Sequence, residues 1–202
     1  MTADLMSRVV SDVSGIVRRV SELYVPNGHP RLVNVVAEPT DFAGLVGAAV
    51  EPRAGASHYD RRSARAAAIG ETIERYCASW VPAEQVTLGR AANIPDAIAP
   101  ERLRAFTDAQ TAAPGAFANL DEHSLVGWVR GTTLADGSAA SAPAQMVYLG
   151  YHLADGEERL GPFTSTGLAC ATSAEDAIVR GLLESIERDA LMLTWRLRLS
   201  SL

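Results

Sequence analysis

One five-residue pattern occurs twice, and it limits the possible folds more than any other feature of this sequence. Glu71-Thr72-Ile73-Glu74-Arg75 and Glu184-Ser185-Ile186-Glu187-Arg188 agree at four of five positions, and the copies are offset by 113 residues. At the same offset Ala64 falls on Ala177 and Ile69 on Leu182. Both stretches lie in alanine- and leucine-rich surroundings without proline, which predicts helices over roughly residues 60–80 and 173–193. Pro82 ends the first. Ser173 followed by Asp176 predicts a capped start for the second, with Asp where Glu or Gln is usual. On a helix, positions i, i+3 and i+4 share a face, so each copy presents two carboxylates and a guanidinium together.

The residues alone leave two readings of that face. It is a solvated surface whose internal ion pairs contribute about 0.2–0.5 kcal/mol each. Alternatively, Ile73 and Ile186 between the acids mean that both helices pack into a core and bring the carboxylates together. Clustered carboxylates repel and their pKa values rise unless cations neutralise them. Magnesium takes hard oxygen ligands of this kind and usually shares them with substrate phosphates. Arginine alongside offers forked donors to phosphate oxygens.

Elsewhere the pattern is of strands and loops. Residues 5–20 place apolar side chains at mixed three- and four-residue spacing, which suits a helix, or a strand after Gly15. Leu32 to Ala37 reads as a strand, residues 38–57 as loop-rich, and residues 91–121 as connections around a short helix near 99–110. Leu125 to Arg130 and Gln145 to Leu153 read as strands, with a turn at Ala135-Asp136-Gly137 between them. Ala64, Ala67, Ala68, Ile73, Cys77 and Trp80 are expected on the buried side of the first helix. The fold class is α+β, a mixed sheet with flanking helices, expected as a single domain over residues 1–202.

Composition excludes several functions. All 18 basic residues are arginine, so neither a P-loop lysine nor a Schiff-base lysine exists. The net charge of −6 argues against a nucleic-acid surface. Two distant cysteines, no signal-like start and no long apolar run lead to the expectation of a cytoplasmic protein with no membrane partner.

At this point the sequence resembles the YcaO family, in its azoline-forming cyclodehydratase branch. The resemblance rests on Ala64-Arg65-Ala66-Ala67-Ala68-Ile69-Gly70-Glu71 running into Ile73-Glu74-Arg75-Tyr76-Cys77, and on Ser165 through Trp195 with Gly167-Leu168-Ala169 and Glu184 to Ala190. Trp128-Val129-Arg130-Gly131, Pro143-Ala144 and Val147-Tyr148-Leu149 also look like that branch. The resemblance implies an enzyme that uses ATP and Mg2+ to activate a backbone amide, so that Cys, Ser or Thr of a ribosomal precursor peptide closes to an azoline. It places Glu71, Glu74, Glu184 and Glu187 on magnesium and Arg188 on the phosphates. Thr172, Asp176, Arg180 and Ser57 stand at or beside nucleotide positions; Arg75 serves either the nucleotide or a structural ion pair.

The chain departs from the family pattern where serine, serine, asparagine and glutamine are common and Ala67, Ala169, Thr172 and Arg180 stand instead; Asp176 is a shortened glutamate and His58 replaces a usual glycine. The family also continues beyond the second helix to a third motif, Glu-x-x-x-Arg. The expectation is therefore an N-terminal portion, truncated at its C-terminus, that works with a complementary C-terminal chain or a leader-binding partner protein, or persists as a non-catalytic binding scaffold. Leu191, Leu193 and Trp195 are expected to be exposed, favouring a homodimer or another partner.

Overall fold

The computed structural model describes residues 8–46 and 54–199. The expected apolar positions Leu5 and Met6, and the loop positions Gly47 and Pro52, lie outside the described residues. The chain divides into two compact units, Met1–Cys77 with Ser165–Leu202, and Ala78–Thr164.

In the first unit, β1 (Val17–Leu23), β2 (Val33–Pro39) and β3 (Ala54–His58) form an antiparallel sheet in the order β1-β2-β3. Alternation along the central strand turns Val35 and Ala37 onto one face, where both are buried. The long helix α2 (Arg61–Ser79) lays Ala64, Ala68 and Ile69 on that face, against Val17, Val35 and Ala37. Methyl-sized side chains at two of those positions let helix and sheet approach closely. Asp60 starts α2 by accepting the Ser63 N–H at 2.7 Å. A short helix α1 (Phe42–Val46) sets Phe42 against Tyr76, ring centroids 5.2 Å apart.

The second unit is built on β4 (Val86–Arg90), β5 (Leu125–Thr132) and β6 (Ala139–Pro143), antiparallel in the order β4-β5-β6. Trp128 of the central strand is buried with Leu120, Val126 and Leu160, and its indole N–H donates to the Gly89 carbonyl at 3.0 Å. The four-residue helix α3 (Asp108–Thr111) is closed by a capping box between Thr107 and Gln110. The turn at Ala135-Asp136-Gly137 links β5 to β6, with Thr133 N–H donating to the Ser138 carbonyl at 2.8 Å.

Three expectations are corrected. Residues 145–153 are not a strand: Ala144–Met146 is a 3-10 turn, and Tyr151 is buried with its hydroxyl donating to Glu157 at 2.8 Å. The strand lies just before, in Ala139–Pro143, because its backbone completes the edge of β5 although its side chains are small. On α2, Ile69 and Thr72 are buried whereas Ala67 and Cys77, and Trp80 just past its end, are exposed, since the row 64, 68, 72 faces the sheet and turns those three away.

The last element, α4 (Ala174–Leu197), is 24 residues long and returns to the first unit. Ser173 caps it, accepting the Asp176 N–H at 3.1 Å, as the Ser173–Asp176 spacing predicts. Among the described residues no helix is long and apolar enough to cross a membrane.

Candidate functional site

The face of α2 opposite its buried row borders a cavity of about 820 Å3. Glu71 and Glu74 enter from α2, Glu184 and Arg180 from α4, and Leu168 to Thr172 from the connection preceding α4. His58 closes one side from the end of β3, its Nδ1 accepting the Asp60 N–H at 2.9 Å.

The first carboxylate of each copy is held in the same way. Glu71 accepts the Gly55 N–H at 3.1 Å and pairs with the Arg75 guanidinium at 2.7 Å. Glu184 accepts the Gly167 N–H at 3.2 Å and pairs with Arg188 at 3.5 Å. Each first acid is thus fixed by a backbone amide and by the arginine one turn on. Gly167 can reach Glu184 because its connection crosses α4 in contact with Gly181. A Cβ at Gly181 would stand 2.4 Å from the Gly167 carbonyl, and Gly167 itself has φ +89°. The Ser185 hydroxyl donates to the Gly181 carbonyl at 2.9 Å and lies against Gly167, 3.2 Å from where a Cβ there would stand.

Glu74 is held by the Cys170 backbone N–H and lies beside both first acids. Burial pushes its carboxyl up to about 7, and the charges of Glu184 and Glu71 add to the rise; Arg75 and the Cys170 backbone N–H oppose it. The Cys170 thiol is also pushed up, first by burial and then by Glu74, so it stays protonated.

The structure therefore gathers Glu71, Glu74 and Glu184, with Arg180 and Thr172, around one cavity. Glu187 is exposed and, among the described residues, does not line it. Arg188 is 57% exposed beside Glu184, whereas Arg75 is only 20% exposed. Asp176 sits in the first turn of α4, and Ser57 donates to the Asn34 side-chain carbonyl on the sheet; neither lines the cavity among the described residues. Residue types alone did not single out the Gly55 and Gly167 amides, whose only sequence signal is glycine just ahead of each helix.

The donor set fits a divalent cation in kind: three hard carboxylates, the middle one raised in pKa by burial and further by the charges of Glu184 and Glu71. Among the described residues no three His, Cys, Asp or Glu side chains stand as a preformed metal cluster, so the acids line the cavity without closing on a point. Arg180 faces the same space as a cation suited to phosphate.

Two solved structures share this architecture. A heterocyclase in complex with substrate and cofactor matches with a TM-score of 0.76 and 23% identity, covering 95% of this chain and 27% of that one. YcaO from Methanopyrus kandleri bound with AMPPCP and Mg2+ matches at TM-score 0.61 and 20% identity, covering 91% and 40%. The fold is thus YcaO-like. A protein of Methanothermobacter thermautotrophicus without a characterised function is 32% identical over 130 residues, 64% of this chain and 31% of that protein. The family model described as YcaO cyclodehydratase, ATP- and Mg2+-binding, matches residues 56–202, and the chain belongs to the YcaO family. ATP and Mg2+ are the cofactors of that family. The chain spans less than half the length of each of these relatives.

Proposed function

We propose that the chain is a portion of a YcaO-type ATP-binding domain that activates a peptide backbone amide for cyclodehydration of Cys, Ser or Thr to an azoline in a ribosomal precursor peptide. The observation that carries this reading is the meeting of carboxylates from both motif copies in one cavity beside Arg180. Magnesium with ATP would supply charge neutralisation of the phosphates and a phosphoryl group for the amide oxygen, turning a poor leaving group into phosphate. Glu71, Glu74 and Glu184 are the residues that would hold it, with Glu187 drawn in from the rim. Arg75 and the Gly55 amide fix Glu71 so that it cannot swing from the cavity. Arg180 and Arg188 orient phosphate oxygens, and Thr172 borders the same space; Asp176 and Ser57 lie nearby on supporting elements. Glu74 is half-buried beside Glu71 and Glu184, and the reduced solvation there strengthens the charge interactions of its carboxylate.

Because the relatives are longer, the activity requires further polypeptide. Ile178, Leu182, Ile186, Leu191, Leu193 and Trp195 all lie exposed on α4, and a helix apolar on several sides is normally covered. We assign that cover to a complementary YcaO chain, a leader-binding protein or a second copy, in a reducing cytoplasmic setting that suits free Cys77 and Cys170.

A second reading, a non-catalytic scaffold that binds peptide or partner, is favoured by the exposure of Glu187 and the lack of a preformed metal cluster among the described residues. Magnesium-dependent ATP hydrolysis, measured with candidate partner chains and with peptide mass as a second readout, separates the two. Turnover with loss of one water from the peptide supports the enzyme. Partner association without turnover in any combination supports the scaffold.

A further inference from the structure

A second cavity, of about 570 Å3, shares no lining residue with the acidic one. It runs along β1, the edge strand of its sheet, whose partner within the sheet is β2. Among the described residues, the outer side of β1 is occupied only at its start. There Val10 makes an isolated parallel bridge with Val17, and the Ser11 N–H donates to the Val17 carbonyl at 2.9 Å. Gly15 allows this return, because a Cβ there would lie 2.3 Å from the Ser11 nitrogen. Past that point the groove is bordered by Arg18 and Arg19 of β1 and Arg65 of α2, with Asp12 the one acid in the lining. Arg18 and Arg19 share a single carboxylate, Glu38, at 3.5 and 2.8 Å, and Arg65 makes no ion pair among the described residues. In a chain of net charge −6 this is a local reversal of sign.

We propose that this edge is a docking strip for an acidic peptide in extended conformation. The peptide adds as a strand beside β1, continuing the pairing begun by Val10; its carboxylates at alternate residues meet Arg18 and Arg19 on the face that carries Glu38, and Arg65 adds positive charge from the helix side. Charges and a bulge at an edge, here between Val17 and Arg19, ordinarily prevent pairing with another copy of the same edge. Identical arginines repel each other across such a pair, whereas an acidic strand is attracted, so one device excludes self and selects the partner. A nucleic acid would use the arginines but leave the strand's N–H and C=O groups unpaired, which favours a peptide. This strip is independent of the acidic cavity and its proposed chemistry.

Fluorescence anisotropy on the 202-residue chain tests it, with a labelled seven-residue peptide of alternating Glu and Val as probe. Saturable binding is expected at about 50 mM salt, weakening clearly at about 300 mM as the charges are screened. Substituting Arg18→Gln, Arg19→Gln and Arg65→Gln together should weaken it about tenfold or more, while Arg104→Gln in the other unit should not. Methylating the backbone nitrogens of one edge of the peptide leaves the protein and all charges intact, and should also weaken binding about tenfold. Equal binding of the methylated peptide would reduce the contact to ion pairing and overturn strand addition. Absence of binding, indifference to the arginines, equal binding of a Lys-for-Glu peptide, or tighter binding of a single-stranded oligonucleotide would each overturn the proposal.

Discussion

The two copies of the acidic motif carry nearly the same five residues in different surroundings. In α2 the central Ile73 packs against the sheet core, and Arg75 closes on Glu71 at 2.7 Å, largely out of solvent. In α4 the equivalent Ile186 is 65% exposed and Arg188 stands 3.5 Å from Glu184. Local sequence sets which side chains share a helix face; the neighbour across that face sets how firmly they are held. The α2 copy has its sheet. Among the described residues the α4 copy is crossed at Gly181, and its apolar side chains are otherwise exposed.

The largest effect should come from the acids. Replacing Glu71 or Glu184 by Gln should each weaken magnesium-dependent nucleotide binding by at least about 100-fold, whereas Arg75→Ala, which removes a support of Glu71, should lose about 10-fold to 100-fold. If the Arg75 variant equalled the acid variants, the guanidinium would be touching the nucleotide instead.

Two helix glycines sharpen the contrast in stability. Gly181→Ala drives a methyl into the Gly167 carbonyl and should destabilise by about 1–3 kcal/mol, freeing Glu184 from its amide. Gly70→Ala meets nothing nearer than Cys170 Cβ at 3.8 Å and should stabilise α2 by up to about 1 kcal/mol. Thermal melts that gave the same sign for both would show that the crossing at α4 is not tight.

The pH dependence of stability follows from Glu74. Its folded carboxyl holds a proton up to about 7, against an ordinary value of 4.5, so the folded state binds more protons between those values. The metal-free chain should therefore be favoured at low pH and lose that advantage as pH rises through about 7. Glu74→Gln should flatten the melting temperature over the same window; an unchanged slope would place Glu74 in water rather than beside Glu71 and Glu184. The smallest effect belongs to the cap: Ser173→Ala should cost about 1 kcal/mol, read by the same melts.

Helices were the legible part of this sequence. Alanine-rich, proline-free stretches and the Ser173 cap predict α2 and α4 to within a few residues; of the four repeated acids, Glu71, Glu74 and Glu184 border the cavity and Glu187 does not. Strands were less legible where small residues form them. Ala54–His58 and Ala139–Pro143 lack the β-branched and aromatic residues that mark a strand, and they pair because Val33–Pro39 and Leu125–Thr132 offer an edge. Val147-Tyr148-Leu149 misleads in the opposite direction: it follows a 3-10 turn, pairs in no ladder, and leaves Val147 exposed. Periodicity puts Ala67, Cys77 and Trp80 on the buried side, whereas all three flank the true buried row or lie past the helix end. The backbone amides of Gly55 and Gly167 were invisible, as a main-chain donor has no side-chain signature.

Isothermal titration of the chain with AMPPCP, with and without Mg2+, tests most directly whether acids from both helices serve one cation–nucleotide site. The account predicts saturable binding that needs Mg2+ and disappears in both Glu71→Gln and Glu184→Gln. Nucleotide binding of equal strength without the cation, or surviving loss of either glutamate, would contradict it.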